Sequence, residues 1–409
     1  MTVVSRLMSS RLATSRLLPT LLAPPRPGPP VEPVSRRREA AVAAAVHLAV
    51  AALGFAVLLL INHHLGRTTQ YLLYRWDSGN YLRVAERGYP SSIPYRPDGT
   101  PGYSRLAFFP LLPALVRAVH LLTGIPYAYA GLLIVWCAAT VAAVGVHVLV
   151  RSLGGTRGAG YACVALWSCS PYAFALWVPY SEAVFSAVLV WALVALVAGR
   201  WLTAGALAAV AGTVRPTATV LVGTVLLAAG WAALRRRDGW RPWAALALAP
   251  LGLLGSWLFL GSRVGRVDGW FEAERAWGQS FDFGRGTAEV LRNVLFYRHV
   301  HGSDDVRHLA VLAVVVLTAV GVVALALDRS VPWPLVVLLA GAWVLMVGTP
   351  GSPLSKPRFM LPFLPVPLLL AARPLARAPL GVRWCLYCGG AVVSGWYAAG
   401  LLVLFEGSP

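Results

Sequence analysis

The sequence predicts an all-α fold, a polytopic transmembrane helical bundle of about eleven spans. Hydrophobic residues make up 58% of the chain and charged residues only 12%, with a mean hydropathy of +0.67. That leaves too little polar surface to cover a soluble domain. Apolar runs recur along the chain at the length needed to cross a bilayer, roughly 20 residues each. The arginines fall between those runs rather than on one face, so a net charge of +19 does not describe a nucleic-acid-binding surface.

Taken in order, residues 1–39 stand apart. They are rich in Arg, Ser and Pro, carry no acid before Glu32, and cannot form a compact core. A transit peptide shares that composition, but Arg36, Arg37 and Arg38 directly precede the first apolar run. A disordered cytoplasmic tail, or an over-extended start, is therefore the preferred reading. Residues 40–404 form the transmembrane domain, with spans expected at 40–61, 127–150, 159–178, 182–200, 201–214, 217–234, 243–262, 307–327, 332–348, 359–373 and 384–404, before a short external tail at 405–409.

The run 106–123, LAFFPLLPALVRAVHLLT, is expected to lie on the surface or re-enter. Pro110 and Pro113 disfavour a continuous span, and a central Arg117 costs about 2.5–3.5 kcal/mol on insertion scales. With the N-terminus inside, excluding this run places Arg151, Arg157, Arg200, Arg235 to Arg237, Arg241, Arg329, Arg373, Arg377 and Arg383 in the cytoplasm, as the positive-inside rule requires. The long loops 62–126 and 263–306, and the C-terminus, are then external.

The cysteines Cys137, Cys163, Cys169, Cys385 and Cys388 all fall in apolar segments, so no disulfide framework is expected. His299, His301 and His308 lie in HVHGSDDVRH with nothing in view to orient them as metal ligands. No metal or other cofactor is expected.

The external polar residues each have a plain structural role. Asp77 reads as the N-cap of a helix from Ser78 to Arg87, with Asn80 at N3 and Gly88 as the stop. Glu182 reads as a helix start, Arg215 before Pro216 as a snorkelling side chain, and Lys356 and Arg358 as helix-end anchors. Together, however, a lone carboxylate, a second acid, a corner arginine and a Lys/Arg pair beside aromatics have the parts needed to move a group off a lipid phosphate. Such a reaction needs a base for the acceptor hydroxyl and cations for the leaving phosphate.

Four motifs, RWDSGNYLRVAERGYP, FFPLLPALVRAV, VPYSEAVF and KPRFMLPFLP, make residues 45–404 resemble the PIG-V-type mannosyltransferases, the GPI mannosyltransferase II family and its bacterial relatives. The resemblance implies a GT-C membrane glycosyltransferase that uses a polyprenyl-phosphate sugar, mannose above all, with inversion at the anomeric carbon. In that frame Asp77 is the base, kept ionised by the helix dipole. Arg215, Lys356 and Arg358 bind the donor phosphate, with Arg358 favoured for its planar fork. Asn80 and Glu182 orient hydroxyls, and Trp76, Tyr180 and Phe359 pack on the sugar or the first isoprene units. Trp277, Gln279 and Asp282 in the second long loop are candidates for an acceptor surface. A glycan, a glycolipid or a protein fits as acceptor, and the sequence assigns no oligomeric state. A transporter or scramblase would show internal repeats and broken helices near the midplane; no repeat is visible, and the polar residues gather at one rim. A non-catalytic assembly subunit stays open.

Overall fold

The computed structural model describes residues 33–278, 280–296, 304–349 and 353–404. Residues 1–32 and 405–409, with Gln279, His299 and His301, lie outside the described residues. The expected boundary at 39 shifts: α1, Pro33–His64, is already helical there. The proline supplies a preorganised φ at the first helical position. Glu39, in the second turn, anchors this end of the helix, its carboxylate meeting Arg151 at 3.2 Å, Arg157 at 2.6 Å and His147 at 3.1 Å.

All regular structure among the described residues is helical apart from one antiparallel bridge, Tyr95 to Pro101. The first long loop carries α2, Thr69–Leu73, α3, Trp76–Arg87, and α4, Leu111–Thr123. The bundle continues through α5, Tyr127–Ser152, α6, Arg157–Ser168, α7, Glu182–Val197, α8, Trp201–Gly212, α9, Ala218–Leu234, α10, Arg241–Leu248, and α11, Leu251–Ser262. The second long loop carries α12, Gly269–Arg275, and α13, Arg285–Leu295. The chain closes with α14, Asp304–Leu327, α15, Trp333–Gly348, α16, Lys356–Met360, α17, Pro365–Leu375, and α18, Leu380–Ala399.

In lipid, helices associate through close packing at small residues, because hydrocarbon offers no hydrophobic drive between them. That geometry recurs here. A Cβ on Gly395 of α18 would lie 2.3 Å from the Gly54 carbonyl oxygen of α1, and one on Gly252 of α11 would lie 1.7 Å from that of Ala209 in α8. The outward faces stay apolar, with Leu227, Leu258, Val320 and Trp396 all exposed.

The chain is a multi-pass membrane protein. Five described helices are long and apolar enough to cross a bilayer: Arg36–His64, Tyr127–Ser152, Arg241–Ser262, His308–Leu327 and Leu380–Leu404. The expected span 359–373 is instead a pair, Lys356–Phe363 and Pro365–Leu375, bent by 67°. The remaining five expected spans are shorter as continuous helix. In the segment 159–178 the helix stops at Ser168 and the chain continues through a 3₁₀ turn, Ala173–Leu176. The other four are α7, α8, α9 and α15, of 16, 12, 17 and 16 residues. At 1.5 Å per residue these cover about 18–26 Å, less than a hydrocarbon core. Their ends flank buried polar residues: Glu182 opens α7, and Arg215 lies between α8 and α9.

The run 106–123 contributes only α4, 13 residues long, with Leu112, Pro113 and Val116 buried. Pro110 is its N-cap residue and Pro113 sits in its first turn, where proline is tolerated. This helix packs on α3 and α5.

Candidate active site

The chain turns sharply into α3. Trp76 has φ of +52°, a left-handed conformation uncommon for a non-glycine residue. A Cβ on Gly79 would fall 2.1 Å from the Tyr74 carbonyl oxygen, so only glycine allows this close approach. The Ser78 hydroxyl closes the turn on the Leu73 carbonyl. As a result the helix starts earlier than expected. Arg75 is the N-cap residue, without a side-chain cap bond, and Asp77 is the second helical residue. The capping role expected for Asp77 is therefore corrected. Its carboxylate is free to reach out of the helix, and it meets Arg358 Nη1 at 2.6 Å. Gly88 ends the helix with φ of +79°, as expected.

Arg358 also approaches Glu182, Nε to Oε1 at 3.4 Å, and Glu182 in turn meets Arg215 Nη1 at 2.7 Å. Arg215 is not snorkelling: it is 6% exposed, Arg358 3% and Glu182 2%. Two arginines and two carboxylates balance, each Nη1 being ion-paired, but the Arg215 Nε is buried without an acceptor. Buried unsatisfied donors are costly, and they are the groups that phosphate oxygens satisfy best. The Phe359 ring lies beneath both guanidinium groups, at 5.4 Å from Arg215 and 5.1 Å from Arg358, and Tyr180 stacks on Arg358 at 4.9 Å.

Three further candidate residues make contacts within the chain. Lys356 is buried with its ammonium donating to the carbonyls of Met346, at 2.7 Å, and Thr349, so it ties α15 to α16 rather than facing a ligand. Glu182 is committed to the two arginines, which leaves it holding cations rather than meeting a sugar hydroxyl. Asp282 accepts the backbone N–H groups of Gly284, at 2.9 Å, and Gly286, at 2.6 Å, and so fastens the start of α13.

Two cavities meet at this cluster. One, of about 760 Å³, is lined by Trp76, Asn80, Tyr103, Ser104 and Arg105 among others, and opens on the first long loop. The other, of about 540 Å³, has aromatic walls from Phe108, Trp257, Trp270 and Phe363, with Arg215, Arg358 and Phe359 in its lining. Asp77 and Trp277 line both. Trp277 stands where the two long loops meet: its ring lies 4.8 Å from that of Tyr103, and its Nε1 donates to the Ser104 carbonyl at 3.4 Å.

A third carboxyl in the lining of the aromatic cavity, Glu274, beside Asp77 and Glu182, was not anticipated. It is half-buried and has no hydrogen bond or ion pair among the described residues. Burial among apolar groups, then the charge of Asp77, push its pKa up to about 8. A hint was present in FEAERAW: Glu272 is matched by Arg275 one turn on, at 2.9 Å, which leaves Glu274 without a local partner.

No protein-family model matches the sequence, and no curated protein does, so the PIG-V-type resemblance rests on its four motifs. Solved structures do share the architecture. The apo oligosaccharyltransferase of Archaeoglobus fulgidus aligns over 90% of this chain with a TM-score of 0.51 and 12% identity. ArnT from Cupriavidus metallidurans, bound to undecaprenyl phosphate, aligns over 83% with a TM-score of 0.46 and 14% identity. At such identity the likeness is one of fold, and the chain spans 56% and 62% of those two proteins.

Proposed function

We propose that the protein is a membrane glycosyltransferase. In this reading it moves a sugar, mannose, from a polyprenyl-phosphate donor to an acceptor hydroxyl on the extracytoplasmic side. One observation carries the reading: Asp77 stands in the wall shared by a polar cavity and an aromatic cavity, and the aromatic one holds the buried guanidinium groups of Arg215 and Arg358. A lipid-borne phosphate needs the second environment, and a sugar acceptor needs the first.

The donor phosphate enters the aromatic cavity and takes the N–H groups of Arg215 and Arg358. Arg358 must then loosen its hold on Asp77, so donor binding itself frees the base. The acceptor hydroxyl, presented from the polar cavity beside Trp76 and Asn80, attacks the anomeric carbon from the face opposite the phosphate. The new C–O bond forms as the bond to phosphate oxygen breaks, the electron pair leaves on the phosphate, and the hydroxyl proton passes to Asp77. Neutralising the departing charge in a site shielded from water is where the arginines contribute most. Alignment of the two substrates supplies much of the rest. The extracytoplasmic assignment is supported by the distribution of arginines among the connecting segments.

A transporter or scramblase is the second reading, favoured by the 67° break between Lys356–Phe363 and Pro365–Leu375, since broken helices line such sites. Purified protein given labelled polyprenyl-phosphate mannose and a membrane extract as acceptor source separates the two. The transferase reading expects protein-dependent release of polyprenyl phosphate with label in a new product. Intact donor after prolonged incubation, with lipid movement between leaflets of proteoliposomes, would establish the transporter instead.

A further inference from the structure

The polar cavity carries charge that the transfer chemistry does not use. Arg105 lines it, at the start of a 3₁₀ turn capped by Ser104. Its side chain has no ion pair or hydrogen bond among the described residues, and its Nε is buried without an acceptor. Burial lowers its pKa, and the positive charges of Arg83 and Arg87 on α3 lower it further. Arg96 adds a fourth cation beside the rim, 5.6 Å over the Tyr103 ring.

The acids of the same loop do not neutralise this group. Asp77 faces Arg358. Glu86 accepts the Tyr74 hydroxyl. Asp98 accepts both the N–H and the hydroxyl of Thr100, at 2.9 and 2.6 Å. A basic residue that merely anchors the loop at a lipid interface keeps its head in solvent, whereas the Arg105 Nε is enclosed in the cavity wall. Like charges gathered around a partly exposed guanidinium whose Nε has no acceptor raise the energy of the empty site, and an anion relieves it. Trp76, Tyr103 and Trp277 line the same cavity, and aromatic faces of this kind suit the apolar face of a sugar ring.

We propose that Arg105, supported by Arg83 and Arg87, forms an anion subsite for the acceptor, which is therefore a sugar bearing a phosphate or carboxylate group. This deepens the transferase reading and rests on it for the assignment of the polar cavity to the acceptor.

The test uses purified full-length protein and three probes: octyl mannoside, octyl mannoside 6-phosphate, and mannose 6-phosphate without the alkyl chain. Binding is followed by tryptophan fluorescence, and transfer from polyprenyl-phosphate mannose is followed in parallel. A hydrogen bond to a charged group contributes about 1.5–3 kcal/mol, so the phosphorylated glycoside should bind about 10- to 100-fold more tightly than the neutral one. Arg105→Ala should erase that preference and leave neutral-acceptor transfer and donor hydrolysis within about threefold, and Arg105→Lys should restore part of it. Tighter binding of the alkyl phosphate than of mannose 6-phosphate identifies a membrane-borne acceptor, and equal binding a soluble one. Equal affinity for charged and neutral glycosides in the wild type, or a loss in Arg105→Ala that is the same for both, overturns the subsite while leaving the transferase reading intact. Failure to turn over donor with any acceptor, or with water, overturns the transferase reading by a different readout.

Discussion

Arg358 bears the heaviest load in this account, because it contacts the proposed base and is assigned the donor phosphate. Consider Arg358→Ala. Arg358 is 3% exposed, and its guanidinium faces Asp77 at 2.6 Å and Glu182 at 3.4 Å. Removing one partner of a buried pair costs about 3–5 kcal/mol, most of it the penalty for the charge left behind. Here two features soften that loss. The Asp77 side chain is 17% exposed and borders a cavity that water can fill, and Glu182 keeps Arg215 at 2.7 Å. The destabilisation should therefore lie at the lower end, about 3 kcal/mol. The effect on donor binding should be larger than on folding suggests, because a two-pronged, charge-assisted contact disappears. At about 1.5–3 kcal/mol for each hydrogen bond to a charged group, losing two raises donor Kd by roughly 10² to 10⁴. Arg358→Lys keeps the charge but not the fork, so it should recover only part of the affinity. Thermal unfolding in detergent measures the first effect, and equilibrium binding of polyprenyl-phosphate mannose the second. A folded Arg358→Ala protein that binds donor normally would refute the phosphate assignment and return the residue to structural ion pairing.

Other expectations follow from the same geometry. Glu274 is protonated at neutral pH and ionises as pH rises through about 8, which adds negative charge to the cavity proposed for the phosphate. Donor KM should climb above that pH in the wild type and not in Glu274→Gln, and a limb unchanged in the variant would assign it elsewhere. Linkage has the same sign: a carboxyl whose folded pKa is raised from 4.5 to about 8 holds its proton more tightly when folded, so stability falls as pH rises across that window. Glu274→Gln should flatten the fall. Lys356→Met should lower thermal stability, since the carbonyls of Met346 and Thr349 lose their donor, while donor KM stays within about threefold; a selective rise in KM would restore the lysine to phosphate binding. On a background without the native cysteines, Ser91→Cys and Asp268→Cys should react with an impermeant thiol reagent in intact cells and Arg237→Cys should not. The opposite pattern would invert the proposed topology.

Residue chemistry was more legible in the sequence than geometry. Asp77, Glu182, Arg215 and Arg358 announced themselves as charges that an apolar chain has little other reason to keep at helix ends. Their convergence is a tertiary fact, because the pairs Asp77 to Arg358 and Glu182 to Arg215 join segments far apart in the chain. Sequence placed Asp77 at a helix start but two residues out of register, as the N-cap rather than the second helical residue. The left-handed Trp76 and the tight Gly79 begin α3 earlier than a capping pattern suggests. Lys356 looked equivalent to Arg358 two residues away, yet the one-turn helix α16 points them at different partners. Hydropathy also measures composition rather than continuity. The segment 159–178 is apolar throughout, but its α-helix ends at Ser168 and the rest packs as an irregular, buried corner. Arg105 was missed because what marks it is the absence of a partner, which is visible only once the chain is folded, and for Glu274 the sequence offered only the local hint that Glu272 takes Arg275.

The central claim is that the Asp77 carboxylate takes the acceptor proton during sugar transfer, and Asp77→Asn tests it most directly. Asparagine keeps the size of the side chain and removes its charge and basicity, while Arg358 retains Glu182 as a counter-ion at 3.4 Å. The measurement is mannose transfer from polyprenyl-phosphate mannose by purified protein, normalised to the fraction that elutes as a folded species. The account predicts that Asp77→Asn still binds donor and loses a factor of about 10² to 10⁴ in turnover. Near-normal turnover by the folded variant would contradict it, and would leave Asp77 as the structural counter-ion of Arg358.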